Sequence, residues 1–129
     1  MAQIKVYGLA ESLNPIKAQL SQVIHACVME AFAYPAEKRA HRFFPMQRED
    51  LLAPAGRTER YTLIEISLFE GRSVAAKKHL FRLLFEQIEA EFEIAPNDLE
   101  ITLFETPRHN WGIRGLPGDE LALDYKVEI

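Results

Sequence analysis

The chain has 129 residues, 48% hydrophobic and 26% charged, with a net charge of −4. That length suits one domain with a core that needs no covalent staples. The acidic balance argues against a nucleic-acid or anionic-membrane partner, because both reward a basic surface. One cysteine, Cys27, excludes an internal disulfide. No apolar run approaches the ~20 residues of a bilayer span, and no basic-then-apolar leader is present, so a cytoplasmic protein is expected.

The first element begins almost at the amino terminus. In "MAQIKVYG", Ile4 and Val6 alternate with Lys5 and Tyr7, the period of a half-buried strand. "SLNPIKAQLSQVIHACVMEAF" reads as a helix with Asn14 as cap and Pro15 at its first position. Its apolar face is Ile16, Leu20, Val23, Ile24, Cys27, Val28 and Ala31. Pro35 breaks it, and "AHRFFP" follows as a short strand. A polar stretch from about Met46 to Arg60 is long for a compact domain and is expected to pack against something or to move.

The pattern then recurs. "YTLIEISLFE" alternates Ile64, Ile66 and Leu68 against Glu65 and Ser67. "GRSVAAKKHLFRLLFEQIEAEF" is a helix with Ser73 as cap and a stripe of Phe81, Leu84, Phe85, Ile88 and Phe92. "EIAPNDLEITLFE" breaks at Pro96 and returns as a strand. Pro35 with Pro96 and Phe43 with Phe104 give a repeat offset of 61 residues, which also matches Leu20 with Phe81. The reading is one α+β domain over 1–129: repeat one to about 46, a loop over 46–60, repeat two over about 61–115, and a C-terminal hairpin and strand over 107–129. Each repeat is a parallel strand pair with a crossover helix, so a two-layer (βαβ)2 fold is expected. It has a four-stranded mixed sheet, both helices on one face, and an open face for an oligomer to cover.

Two stretches carry candidate chemistry. In "LFEGRSVAAKKH", Gly71 permits a tight turn, Arg72 precedes the helix, and Lys77 and Lys78 sit in its first turns, against the preference of the helix dipole. A helix N-terminus attracts anions and an arginine fork suits a carboxylate, so this reads as an anion site; the competing reading is a solvated basic turn. "ETPRHNWGIRGLPGDEL" reads as hairpin and loop, and carries the only tryptophan, Trp111, beside Arg108, His109 and Arg114. Trp111 is a candidate pocket wall or interface anchor, or else a cap on the core. The four histidines have no metal-ligand spacing, no phosphate-cradling glycine loop is present, and neither metal nor cofactor is expected.

Two strand–helix–strand units, a strand at residue two, "EGRS" at the second strand–helix junction, "IAP" before the last strand and "HNWGIRG" together resemble the tautomerase superfamily. That family includes 4-oxalocrotonate tautomerase, malonate semialdehyde decarboxylase, cis-3-chloroacrylic acid dehalogenase and macrophage migration inhibitory factor. Residues 62–115 look like one complete small subunit of it. The resemblance implies a homotrimer around a central barrel and, as catalytic group, an amino-terminal proline whose amine moves protons in keto–enol reactions. Here residue 2 is Ala2 and the first proline is Pro15, so the base would be the amine of Ala2 or of Met1. An amine left on Met1 stands about one residue, roughly 3.5 Å, from the family position.

By the same resemblance Arg72 binds the carboxylate of a small substrate and Trp111 is an aromatic wall beside His109. A second carboxylate-binding arginine is absent at Glu100, and the first-repeat counterpart is Arg39. The position of the dehalogenase's water-activating glutamate is apolar, near Ile113, and the decarboxylase's acid falls near Glu37 or Lys38. The expectation is a tautomerase-like protein acting on or binding a small 2-oxo or enol carboxylate, with weak or absent proline-type catalysis. The alternative is a non-catalytic ligand-binding or interaction protein on the same scaffold.

Overall fold

Alternation in β1 (Ala2–Leu9) and β3 (Thr62–Phe69) buries every second residue beneath the helices, in the same order in both strands. The computed structural model describes all of residues 1–129. It places β2 (His41–Met46), β1, β3 and β4 (Leu99–Thr106) in that order in one sheet. β1 runs parallel to β2, β3 runs parallel to β4, and β1 meets β3 antiparallel at the centre. The expected α+β, (βαβ)2 sheet is therefore present. Helices α2 (Lys17–Phe32) and α3 (Val74–Phe92) pack together over one sheet face. Ile4, Val6, Ile64 and Ile66, at most 2% exposed, form the floor of this core.

The repeat is real, and its offset is 60 rather than 61. Ile4 pairs with His41 as Ile64 pairs with Ile101. Leu20, Ile24 and Val28 correspond to Leu80, Leu84 and Ile88, and none of the six exceeds 1% exposure. Both helices end on a left-handed residue, Ala33 and Glu93, again 60 apart. Phe44, not Phe43, is the counterpart of Phe104; both project from the open face. Only the prolines keep the 61-residue spacing, because they lie in the irregular stretches between helix end and strand. The stripe of α3 is centred accordingly on Leu80, Leu84 and Ile88, while Phe81, Phe85 and Phe92 flank it half-buried.

Two local expectations are corrected. Asn14 and Pro15 do not start the long helix: a single turn, α1 (Ala10–Leu13), intervenes, Asn14 closes it, and α2 begins at Lys17. In the second repeat Ser73 does cap α3, accepting from the Ala76 amide at 3.1 Å. After β4 the hairpin forms as β5 (Gly112–Ile113) and β6 (Leu116–Pro117), but no strand follows it. The tail instead runs back irregularly across the start of α3, with Val127 buried against Gly71.

The 46–60 stretch is mostly exposed, Leu52 at 86%, but its last residues are tied to the second repeat. The Thr58 amide donates to Asp98 at 2.8 Å, Arg57 pairs with Glu100 at 3.0 Å, and Arg60 donates to the Glu93 carbonyl at 2.8 Å. On the open face Tyr7 stacks on Phe44 with ring centroids 4.8 Å apart, and Phe104 is 46% exposed. No helix is long and apolar enough to cross a membrane.

Candidate active site at the amino terminus

Antiparallel pairing of β1 with β3 sets Ala2 opposite Leu68, so the amino terminus lies beside the turn that leads into α3. Gly71 makes that turn at φ +134°, and a Cβ there would stand 2.9 Å from the Val127 side chain. The turn directs Arg72 inward, where it is 4% exposed. One of its nitrogens, Nη1, donates to the Phe69 carbonyl at 3.4 Å; Nε and Nη2 are buried without a partner. The guanidinium lies 5.0 Å from the centroid of the Phe32 ring. A buried guanidinium with two idle donors is costly to hold and suited to a planar anion.

The terminal amine belongs to Met1. It donates to the hydroxyl of Tyr125, delivered by the irregular tail. The nitrogen of Ala2, a strand amide, donates to the hydroxyl of Tyr34 at 2.9 Å. The two phenol rings meet edge to face at 5.3 Å. Burial, aided by the positive charges of Arg72, Lys38, Arg108 and Arg114, lowers the Met1 amine from 8.0 to about 5. Burial raises Tyr34 to about 12 and raises Tyr125 as well, so both phenols keep their protons. At neutral pH the site thus holds a neutral amine, two neutral phenols and a cationic arginine.

Trp111 joins this site through Phe69. Its ring meets Phe69 edge to face at 5.2 Å, its Nε1 donates to Thr106 at 2.7 Å, and the Arg108 guanidinium lies 5.5 Å from the same Phe69 ring. Gly118 lets the hairpin close on Arg108: a Cβ there would lie 2.3 Å from the Arg108 carbonyl. His109 is exposed on the short turn Arg108–Asn110. Arg39 is exposed before β2, and its charge acts on His41 rather than on the amine. Lys77 is absorbed in an ion pair with Glu105 at 2.6 Å, which answers its placement in the first turns of α3.

The structure therefore brings together the amino terminus, Arg72 and, through Phe69, Trp111. It leaves Arg39 and His109 outside the hydrogen-bonded cluster. Sequence reasoning missed Tyr34 and Tyr125, and named Lys38 and Arg108 without foreseeing that their charges act on the amine. The lone aromatic in the tail "LALDYKVEI" was the available signal for Tyr125. A concavity of about 400 Å3 between Gly8, Ser12 and Phe92, and a more open one of about 560 Å3 beside His109 and Trp111 on the hairpin, are lined by neither Met1 nor Arg72. Chemistry rather than volume marks the site, because no terminal amine and no idle buried guanidinium stands there.

The (βαβ)2 sheet thus sets a terminal amine of lowered pKa beside a buried arginine. The chain belongs to the tautomerase family: residues 38–114 match the family described as tautomerase enzyme. It is 30% identical over 98 residues to the probable tautomerase YrdN of Bacillus subtilis (strain 168), covering 72% of this chain and 75% of that protein. Among solved structures it is similar to malonate semialdehyde decarboxylase, with a TM-score of 0.79 at 21% identity over 92% of this chain and 99% of that one. A fused 4-OT described as an asymmetric trimer gives 0.79 at 24% identity, over 91% of this chain and 96% of that one.

Proposed function

We propose that the protein binds small 2-oxo or enol carboxylates and interconverts their keto and enol forms slowly, as a homotrimer. The observation that carries this reading is Arg72, buried with two unpartnered donors beside a terminal amine lowered to about 5. Arg72 takes the carboxylate through Nε and Nη2. The neutral amine accepts the enol O–H proton as the carbonyl forms, and the same proton passes from the ammonium to the neighbouring carbon. Arg72 also stabilises the charge that spreads over the enolate and carboxylate during the transfer. The base is a primary amine where the family resemblance implies a proline, so turnover is slow. Trimerisation covers the open face bearing Tyr7, Phe44 and Phe104, which would otherwise leave aromatic surface in water.

The test measures ketonisation of phenylenolpyruvate and, by calorimetry, binding of phenylpyruvate. Arg72→Ala should weaken binding about 10²-fold, the worth of a bidentate charge-assisted contact. Its thermal stability should be unchanged or raised, because a buried, half-satisfied charge is removed. Binding that survives in Arg72→Ala overturns the site. Binding by the wild type with no measurable turnover favours the second reading, a non-catalytic carboxylate-binding protein. That reading draws on the amine's being primary and already engaged with Tyr125.

A further inference from the structure

Tyr34 and Tyr125 belong to no catalytic assignment above, yet each places a phenol oxygen on one of the first two backbone nitrogens. A secondary amine inside a proline ring has one fixed orientation. A primary amine turns freely about its N–Cα bond among three staggered positions, only one of which aims the lone pair at a substrate. Orientation of this kind decides rate, since small misplacements cost about 10²-fold.

We propose that this tyrosine pair does for a primary amine what the ring does for proline: a phenol oxygen accepts one N–H and fixes the rotor, so the lone pair faces the carboxylate site of Arg72. The proposal rests on the keto–enol reading and names its positioning residues. Tyr125 serves the nitrogen of Met1, and Tyr34 serves the nitrogen of Ala2 at 2.9 Å. If the initiator methionine is removed, the amine becomes that of Ala2, on a nitrogen Tyr34 already holds. The pair is itself held in place. The rings pack edge to face, the Lys38 ammonium lies 5.7 Å from the Tyr125 centroid and 3.8 Å from Asp124, and Val127 anchors the tail on Gly71. The charges facing the amine are Arg72, Lys38, Arg108 and Arg114, all positive, and both phenols are neutral at working pH. A neutral acceptor is therefore the group that holds an amine here without restoring its proton.

Intact mass first determines whether Met1 is present, and then Tyr34→Phe and Tyr125→Phe are compared. With Met1 present, Tyr125→Phe should lower kcat for phenylenolpyruvate about 10-fold with KM nearly unchanged, and Tyr34→Phe should have the smaller effect. With Met1 removed the two variants should exchange roles. Losing the acceptor destabilises the ammonium more than the amine, so the sensitive variant's acid limb should also move to lower pH. A 15N label on the terminal residue reads the same midpoint directly and needs no turnover. A downward shift in the matched variant alone supports the pairing even in a protein that never turns over. An unchanged midpoint in both variants, or a shift in the wrong one, overturns it. Loss of phenylpyruvate binding in Arg72→Ala alone tests the underlying reading separately. In the matched Tyr→Phe background, Ala2→Pro with Met1 removed should abolish the sensitivity, since the ring supplies the constraint.

Discussion

The two ends of the central strand pair are related by the 60-residue repeat, and only one carries the amine site. At the amino-terminal end stand Met1, Ala2, Phe32, Tyr34 and Arg72; their counterparts are Tyr61, Thr62, Phe92, Ile94 and Ser12. The scaffold is common to both: Phe32 and Phe92 each close a helix, and Tyr34 and Ile94 are both buried. The chemistry is not. At the far end the backbone continues into the 46–60 loop, so no amine is released. Ser12 donates to the Glu59 carbonyl, and Glu11, Glu59 and Arg60 line the concavity with charge of both signs. A duplicated fold thus yields one amine site, because a chain has one amino terminus and the tail covers only that end.

The largest effect expected of a substitution on this contrast is at Gly71. Its counterpart, Glu11, lies in the helical turn α1, whereas Gly71 sits at φ +134° under Val127. Gly71→Ala adds positive-φ strain and a collision at 2.9 Å, together about 2–3 kcal/mol. Denaturant melts should show that loss, and hydrogen exchange should show the tail over 121–129 released while the far end keeps its protection. Equal loosening at both ends would break the contrast.

Much of this architecture was legible. Period-2 alternation located β1 and β3, and "EGRS" pointed to Arg72 through the family resemblance, since the residues alone left a solvated basic turn as the competing reading. The offset was misread because the apolar faces are wide. Leu80 stands beside Phe81, and Leu84 beside Phe85, so a 3.6-residue period fits two registers one residue apart, and the prolines favoured the wrong one. Asn14-Pro15 mimics a helix start, but Leu13 is wanted in the core at 2% exposure, and burying it forms the extra turn. Tyr34 and Tyr125 were illegible for a different reason: they meet across 91 residues through a tail without periodicity, and nothing local records such a pairing.

The next effect is a pH dependence. The Met1 amine is about 5 in the fold and near 8 when unfolded, so between those values the unfolded chain binds more protons. The cost of withdrawing the ammonium from water is full below about pH 5 and gone above 8; stability therefore rises with pH through that window. Its amplitude is about 2 kcal/mol, roughly half the full value of such a shift, since the amine is only partly withdrawn from water. His41, lowered from 6.5 to about 4 by burial and by His25, adds a slope of the same sign at lower pH. Acetylating the terminus should remove the amine's share and leave that of His41. A slope that survives acetylation intact would mean the amine is solvated in solution.

The smallest effect is at Tyr61, the counterpart of Met1. Its hydroxyl donates to Glu100 at 2.6 Å, and burial together with that carboxylate raises the phenol to about 12. Arg57 holds the same carboxylate at 3.0 Å, so Tyr61→Phe leaves Glu100 with a partner and removes one hydrogen bond from a ring that stays buried. About 1 kcal/mol should be lost. Carboxylate binding and turnover should not change, because this polar cluster fixes the loop that enters β3 and touches nothing at the Arg72 end. The double variant with Tyr125→Phe should be additive within about 0.5 kcal/mol, as for groups that share no partner. Coupling beyond that would mean that the two ends communicate through β1 and β3, and that the far end takes part in the site its sequence no longer resembles.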